Sequence, residues 1–476
     1  VEQWRDMKLY AAELDFRSIA DEHNVDTEFP ADVEAEAKEA TDRFAEARRD
    51  AREIPFVTID PAGSMDLDQA VCIEGGMNGS GFRVYYAIAD VAAFVEPGSA
   101  LEEESLRRGQ TIYLPDEPAR LHPTALSEDR ASLLPEVDRP AVLWTIDVDA
   151  SGEVEEFHVE RALVRSRKRF DYDEVHDDLT RGQLHSSIAL LPQVGKLRQA
   201  SALRREAINL RLPSQRVAEL DDGTFELVIE PRFEVHDFNS EISLLTGMCA
   251  GQLMEAHGVG FLRTLPGATA VAEEEFHREA EALGFDLGEK SIPEFLLDVD
   301  AASPRGMAVM REAQHLLRGA DYVWLNDSDA EVHAGIGGYY SHVTAPLRRL
   351  VDRYATEVCL ALKAGEDIPA WVSERADAVL KTMRSSSQLA SQVDNACLHL
   401  TEATVLKPWE GEAFEAVVLT VKEKTDDHPA RARIFVAEPP LLAQCVGDPE
   451  QGSKTTVTLV TADPEKREVT FAWPAD

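Results

Sequence analysis

The sequence runs to 476 residues, 44% of them hydrophobic and 29% charged, enough chain for two or three domains and a composition that folds into a core. Lysine and arginine number 48 against 88 aspartates and glutamates, a formal charge of −40. That excludes a protein coating nucleic acid over its whole surface, but not one threading a single strand through a local basic channel, because exposed charges are screened beyond roughly 8 Å at physiological salt. Five scattered cysteines with no C-x-x-C spacing exclude a cysteine zinc site and fit reduced thiols. The longest apolar run, Val84 to Ala89, is six residues and too short to cross a membrane.

The first residues carry charge (Glu2, Arg5, Asp6, Lys8) and do not read as a signal peptide, so a cytoplasmic protein is expected. Residues 1–53 read as helical with a break at His23–Pro30, where Pro30 disfavours helix at Phe29. A second helix is predicted from Asp32 to Arg52. A short buried strand, Phe56–Ile59, then delivers Asp60 at its C-terminal end. Pro61 and Gly63 turn the chain, and Asp66-x-Asp68 follows in extended backbone with both side chains on one face. Three carboxylates within nine residues repel one another, a cost tolerable in a buried site only where a cation or protons compensate it. Hard oxygen ligands of this kind suit Mg²⁺ or Mn²⁺. A solvated Asp-rich turn or a loose calcium loop fits the same spacing.

Phe82–Val95 reads as a strand pair crossing a core. Arg161, Arg165, Arg167, Lys168 and Arg169 come with no acid among them, and Phe170 and Tyr172 follow. Cations beside stacking rings are the chemistry of single-stranded nucleic-acid binding; an amphipathic strand with a solvated basic face is the plainer reading. A basic helix over 197–212 (Arg198, Arg204, Arg205, Arg211) is predicted to line part of the same path. Phe225–Val235 reads as a strand, and Ile242–Glu255 as a buried helix rich in small residues, among them Gly247 and Gly251. Pro346 is predicted to start a helix whose first turn carries Arg348 and Arg349, where arginines can clamp a phosphate. Pairing with Asp352 or Glu357 is the alternative. Residues 370–405 read as one long helix. Short alternating strands from Gly411 onward, with Arg431–Ala437 and Thr455–Val460 among them, suggest a small barrel.

Several of these segments resemble one family. Ile54-Pro55-Phe56-Val57, then Thr58-Ile59-Asp60-Pro61 with Asp66 and Asp68 beyond, is similar to the catalytic signature of the RNB exoribonucleases, the ribonuclease II and ribonuclease R family. Tyr86 to Val91, Ile112-Tyr113-Leu114-Pro115, Phe170-Asp171-Tyr172 and Tyr340-Ser341-His342-Val343-Thr344-Ala345-Pro346-Leu347-Arg348-Arg349 continue the resemblance, as does Gly411-x-x-Phe414-x-Ala416-x-Val418. It implies an α+β protein: an RNB catalytic domain over 54–405, a mixed sheet surrounded by helices, with a small C-terminal OB-fold barrel over 406–476. Residues 1–53 would be a helical segment and linker, in a short form without paired cold-shock domains.

The resemblance also implies a hydrolytic 3′→5′ exoribonuclease, dependent on Mg²⁺ or Mn²⁺, acting as a monomer on single-stranded RNA and releasing nucleoside 5′-monophosphates. Asp60 and Asp66 would be metal ligands, and Asp68 a ligand or the group orienting the attacking water. Arg348 would hold the scissile phosphate, with Tyr172 beside it and Tyr113 stacked on a base. Arg167, Arg169, His342 and Arg349 would contact RNA. Leu244 and Leu245 stand where the family usually has paired glutamates, and Gln69 where it has a fourth aspartate. Glutamine can still coordinate through its neutral carbonyl oxygen but removes one charge, so one metal is easier to accept than two. A non-catalytic RNA-binding relative is the alternative. A phosphotransferase acting on small molecules lacks any phosphate-cradling Gly-rich loop.

Overall fold

Strands whose two faces are both covered read as continuous apolar runs, and the centre of this chain is built that way. The computed structural model describes residues 10–76, 79–208, 210, 215–229, 232–326, 330–422 and 429–474. A short strand β1 (Ala11–Ala12) and helices α1 (Arg17–Glu22) and α2 (Ala31–Glu39) lead into a seven-stranded mixed sheet. Its strands are β2 (Arg49–Asp50), β3 (Val57–Asp60), β4 (Gln69–Gly75), β5 (Phe82–Ala89), β6 (Asp138–Val148), β7 (Val154–Arg165) and β8 (Lys168–Asp171), in the order β2-β7-β6-β5-β4-β3-β8. Only β2/β7 and β3/β8 run parallel.

The pleat sends Val71, Ile73, Tyr86, Ile88 and Trp144 to one face and Ala70, Cys72, Ala87, Ala89 and Leu143 to the other. Helix α3 (Ala100–Arg108) and α2 cover the second face. After α4 (Tyr172–Arg181) and α5 (Leu191–Arg204), a hairpin of β9 (Gln215–Glu219) and β10 (Phe225–Ile229) pairs with β1. Helix α6 (Glu234–His257) packs on the first face. Strand β11 (Val259–Thr264), helices α7 (Ala270–Ala282), α8 (Ile292–Asp298) and α9 (Pro304–Ala313), and strand β12 (Asp321–Asn326) follow, with β11 paired to β12. Helix α10 (Leu350–Ala364) joins α6 on the sheet, and α11 (Ala370–Leu406) runs on to the barrel. Strands β13 (Ala413–Lys422), β14 (Arg431–Ala437), β15 (Pro440–Val446), β16 (Lys454–Asp463) and β17 (Glu468–Ala472) close into that five-stranded barrel, which fits an OB fold. No helix among the described residues is long and apolar enough to cross a membrane.

The structure corrects several expectations. Phe82–Val95 is one strand and a 3-10 turn (Val91–Ala93), not a strand pair, because buried Asp90 ends β5 by bonding Arg48 (2.8 Å) and Arg161 (3.1 Å). The same Arg48, held also by Asp42 at 2.6 Å, draws residues 40–50 onto the sheet edge, so α2 stops at Glu39. The helix predicted over 197–212 begins earlier, with Pro192 in its first turn, and ends at Arg204; Arg211 lies outside the described residues. Its basic side chains are engaged by the protein itself: buried Arg198 bonds the Gly152 carbonyl at 2.7 Å, and exposed Arg204 pairs with Glu153 at 2.5 Å. The strand covers Phe225–Ile229 among the described residues, and α6 starts eight residues before Ile242, at Glu234, so Glu234 and Val235 are helical and not part of that strand.

Helix α6 approaches the segment carrying His342 through its glycines. A Cβ on Gly251 would lie 2.5 Å from the Tyr339 carbonyl carbon and the Tyr340 nitrogen, both backbone. Backbone cannot swing aside as a side-chain tip can. Gly251→Ala is therefore expected to cost about 1–3 kcal/mol of stability through overpacking and to lower the thermal midpoint; an unchanged midpoint in a melting experiment would contradict this packing.

Candidate active site

Strand β3 ends at Asp60 on the rim of a cleft of about 790 Å³. The extended segment beyond the turn is pinned on its other face. Leu67 is fully buried, its N–H donates to Ser132 Oγ (3.0 Å), and its carbonyl accepts from the Leu133 N–H (3.0 Å). With Leu67 turned inward, Asp66 and Asp68 line the cleft beside Asp60, as the spacing predicts.

The second segment of the site comes from far along the chain. Asp68 Oδ1 accepts the Leu347 N–H at 2.8 Å, and Arg348 Nε stands 3.9 Å from Asp68 Oδ2. Arg348 and Arg349 do not sit in the first turn of a helix. Asp352, completely buried, accepts the Ala345 N–H (2.7 Å) and takes Arg349 in bidentate fashion (2.9 and 3.0 Å), which holds residues 344–349 as a turn and delays α10 to Leu350. Arg349 is thus committed to Asp352. The Arg348 side chain is 44% exposed and faces the cleft.

Burial pushes all three carboxyls above the usual aspartate range. Asp60 rises to about 7 through burial and then repulsion from Asp66; Asp66 rises through burial; Asp68 rises well above its ordinary value through burial, opposed by Arg348. Asp60 Oδ2 is buried with no hydrogen-bond partner. An unsatisfied buried carboxylate oxygen among two further carboxyls fits a hard cation, whose charge would remove both the repulsion and the vacancy in hydrogen bonding. Among the described residues no group of three His, Cys, Asp or Glu side chains is placed to hold a metal ion by itself. Mg²⁺ commonly needs only one or two protein carboxylates, with waters and substrate phosphate completing its shell.

Gln69 borders the cleft, but its amide is occupied. Tyr86 donates its hydroxyl to Gln69 Oε1 (2.5 Å), and Gln69 Nε2 donates to the Thr344 carbonyl (2.7 Å). As folded, Gln69 braces the Arg348 turn against the sheet, and its oxygen serves Tyr86. Tyr172 opens α4, lines the cleft, and stacks on His236 with ring centres 3.9 Å apart and planes 10° apart. Asn239 donates to its hydroxyl at 3.0 Å. Tyr113 is 53% exposed and lines both this cleft and a smaller one of about 340 Å³ bordered by Arg349 and α11. It is not a core residue.

Other expected RNA contacts are not gathered here. Arg161 pairs with Asp90 and Glu357 in the interior, and Arg165 with Asp138 and Lys168 with Glu174 nearer the surface, so three of the five cations are already paired with acids of the chain. Arg167 donates to the Arg52 carbonyl at 2.6 Å. Arg169 bonds the Ser64 carbonyl at the cleft edge (2.8 Å) and acts electrostatically on Asp60. His342 bonds the Tyr322 hydroxyl (2.7 Å) beneath Tyr340 and is absent from the cleft lining; burial holds its imidazole well below the usual range. Sequence reasoning missed Arg216, Phe233 and His236, which do line the cleft. An aromatic pair at i, i+3 on the first turn of α6 was the one local signal for the last two.

The charge cluster has a measurable consequence. A carboxyl raised from its unfolded value near 3.8 to about 7 binds its proton more tightly when folded, so its contribution to stability is full below pH 4 and is lost as pH rises from about 4 to about 7. With chelator present, Asp60→Asn is expected to raise the thermal midpoint at pH 8 and to leave it nearly unchanged at pH 4. A lowered midpoint at pH 8 would contradict the strain assigned to Asp60.

Comparison with known proteins places this site in context. Residues 48–363 match the RNB domain, and residues 412–473 match the RNase II-type exonuclease C-terminal S1 domain. Ribonuclease R of Chlamydia trachomatis is 25% identical over 433 residues, covering 86% of this chain and 60% of that protein. The chain therefore spans less than two thirds of that relative's length. Among solved structures, Mycoplasma genitalium RNase R in complex with ribose-methylated single-stranded RNA superposes with a TM-score of 0.84 at 17% identity, covering 96% of this chain and 77% of that one. Yeast Ssd1, a pseudonuclease, superposes with a TM-score of 0.65 at 16% identity, covering 86% and 51%. Both likenesses concern the fold. With its family match extending over most of the sheet, the aspartate segment and the arginine turn, the chain belongs to the RNB family and carries an RNase II-type S1 domain behind it.

Proposed function

We propose that this chain is a hydrolytic, metal-dependent 3′→5′ exoribonuclease that degrades single-stranded RNA to nucleoside 5′-monophosphates, working as a monomer in the cytoplasm. The observation that carries this reading is the meeting of Asp60, Asp66 and Asp68 with Arg348 and the exposed Tyr113 ring in one cleft. The matched RNB domain and the relatives named ribonuclease R support RNA as the substrate.

Asp60 and Asp66 would hold Mg²⁺ or Mn²⁺. The bound cation supplies a water of lowered pKa and neutralises charge on the phosphate. Arg348, exposed and placed by the Leu347–Asp68 bond, reaches a phosphate oxygen from the other side. Asp68, with one oxygen held by the Leu347 N–H, turns the other toward the cleft, where it can orient and deprotonate the attacking water. Tyr172 is braced by His236 and Asn239 and forms a rigid wall beside the reacting phosphate.

A second reading, an RNB-like protein that binds RNA with little or no cleavage, is favoured by the engaged amide of Gln69 and by the absence, among the described residues, of three side chains placed to hold a metal ion by themselves. The fold admits it, since yeast Ssd1 is a pseudonuclease.

End-labelled single-stranded RNA separates the two. Wild-type protein is expected to release mononucleotides with Mg²⁺ and nothing with chelator. Asp68→Asn, close to isosteric, is expected to lose on the order of a hundredfold or more in rate while binding RNA almost as well. Cleavage by Asp68→Asn at near wild-type rates would overturn the assignment of Asp68, and intact RNA after prolonged incubation of the wild type with Mg²⁺ would favour the second reading.

A further inference from the structure

The three cleft aspartates are not held alike. Asp60 is the last residue of β3 and lies in register with Asp171 of β8. Asp68 receives the Leu347 N–H on its side chain, and its carbonyl accepts the Ala89 N–H of β5 at 2.9 Å. Asp66 belongs to no strand, and among the described residues no other residue bonds or pairs with its carboxylate. Its direction is therefore set by the main chain that carries it.

That main chain is gripped on both sides by one hydroxyl. Ser132 Oγ donates to the Met65 carbonyl at 2.5 Å and accepts the Leu67 N–H at 3.0 Å. The Met65 carbonyl belongs to the peptide unit entering Asp66, and the Leu67 N–H to the unit leaving it. Peptide units are planar, and the two soft rotations at a residue are the angles its flanking planes make with it. Fixing both planes fixes the direction of the Asp66 side chain. A serine can do this because its hydroxyl has one proton to give and lone pairs to receive.

Ser132 is itself held in place. It is completely buried behind a one-turn π-helix, Leu126–Arg130, which the Ala131 N–H closes on the Leu126 carbonyl at 2.9 Å. Such turns are rare and gather at functional sites. The Ser132 carbonyl accepts Arg139 Nε of β6 at 2.9 Å, which ties the hydroxyl's position to the central sheet.

We propose that Ser132 is a positioning residue for the cation site: by fixing both peptide planes at Asp66 it aims that carboxylate into the cleft. The proposal rests on the reading of Asp60 and Asp66 as the holders of a divalent cation. A buried serine that only satisfied two backbone groups would matter for stability alone. A positioning serine matters for the cation and spares RNA affinity, because Ser132 bonds neither Arg348 nor Tyr113.

The probe is Mn²⁺, whose free form is counted by electron paramagnetic resonance without RNA and without turnover. The site is defined as the binding that wild type shows and Asp60→Asn lacks, which removes loose association with the acidic surface from the count. Ser132→Ala is expected to weaken that binding about 10- to 100-fold, the size usual for groups that orient metal ligands. Ser132→Cys, close in size and a poor hydrogen-bonding partner, should weaken it likewise and separates lost bonds from lost volume. Affinity of both variants for a short fluorescent single-stranded RNA, read by anisotropy with chelator present, should stay within about twofold of wild type. Wild-type Mn²⁺ affinity in both variants would overturn the proposal, as would an equal loss of Mn²⁺ and RNA affinity, the mark of a damaged fold. Failure of the wild-type protein to bind more Mn²⁺ than Asp60→Asn would overturn the cation reading instead, a result distinguishable from either.

Discussion

The site depends on a hydrogen bond between its two halves: the Leu347 N–H donates to Asp68 Oδ1 at 2.8 Å across 279 residues of chain. A buried carboxylate must be satisfied or neutralised, and Asp68 meets that demand by seating the turn that carries Arg348. Asp352 repeats the device from the helix side, accepting from Ala345 and Arg349. Gln69 and Ser243 complete it through Thr344, one by the backbone carbonyl and one by the hydroxyl at 2.9 Å. Remove these contacts and Arg348 has no reason to face the aspartates.

The site is assembled against its own electrostatics. Burial and mutual repulsion raise three carboxyls together, and Asp60 keeps an oxygen with no partner. A fold selected for stability alone would not keep that arrangement; functional sites commonly retain such costs. The overall charge of −40 sharpens the point. Most arginines are consumed by internal acids, as Arg48, Arg161 and Arg349 show. Of the remaining cations, Arg216 and Arg348 line the cleft, and Arg169 stands at its edge.

What could be read from the sequence was whatever local chemistry decides. The turn residues Pro61 and Gly63, the alternation that puts Asp66 and Asp68 on one side of Leu67, the long α11 and the strand Arg431–Ala437 all follow from short-range pattern. The family resemblance brought the Tyr340–Arg349 block to the same site. What could not be read was decided by distant partners. The basic run Arg161–Arg169 looks like a nucleic-acid surface until Asp90, Glu357 and Asp138 arrive from elsewhere to pair with it. Pro346 resembles a helix start, yet Asp352 holds the preceding residues in a turn. The stack of Tyr172 on His236 joins the starts of α4 and α6. Gln69 is a departure visible in the sequence, but its role as a brace needs Tyr86 and Thr344 in place.

The central claim is that the buried aspartates exist to hold a divalent cation. Anomalous diffraction from crystals soaked in Mn²⁺ tests it directly, because the signal locates the metal without reference to turnover. The account predicts a peak in the cleft within coordination distance of Asp60 and Asp66, lost in Asp60→Asn crystals. A clean map with no peak there, or manganese bound only elsewhere on the surface, would contradict it.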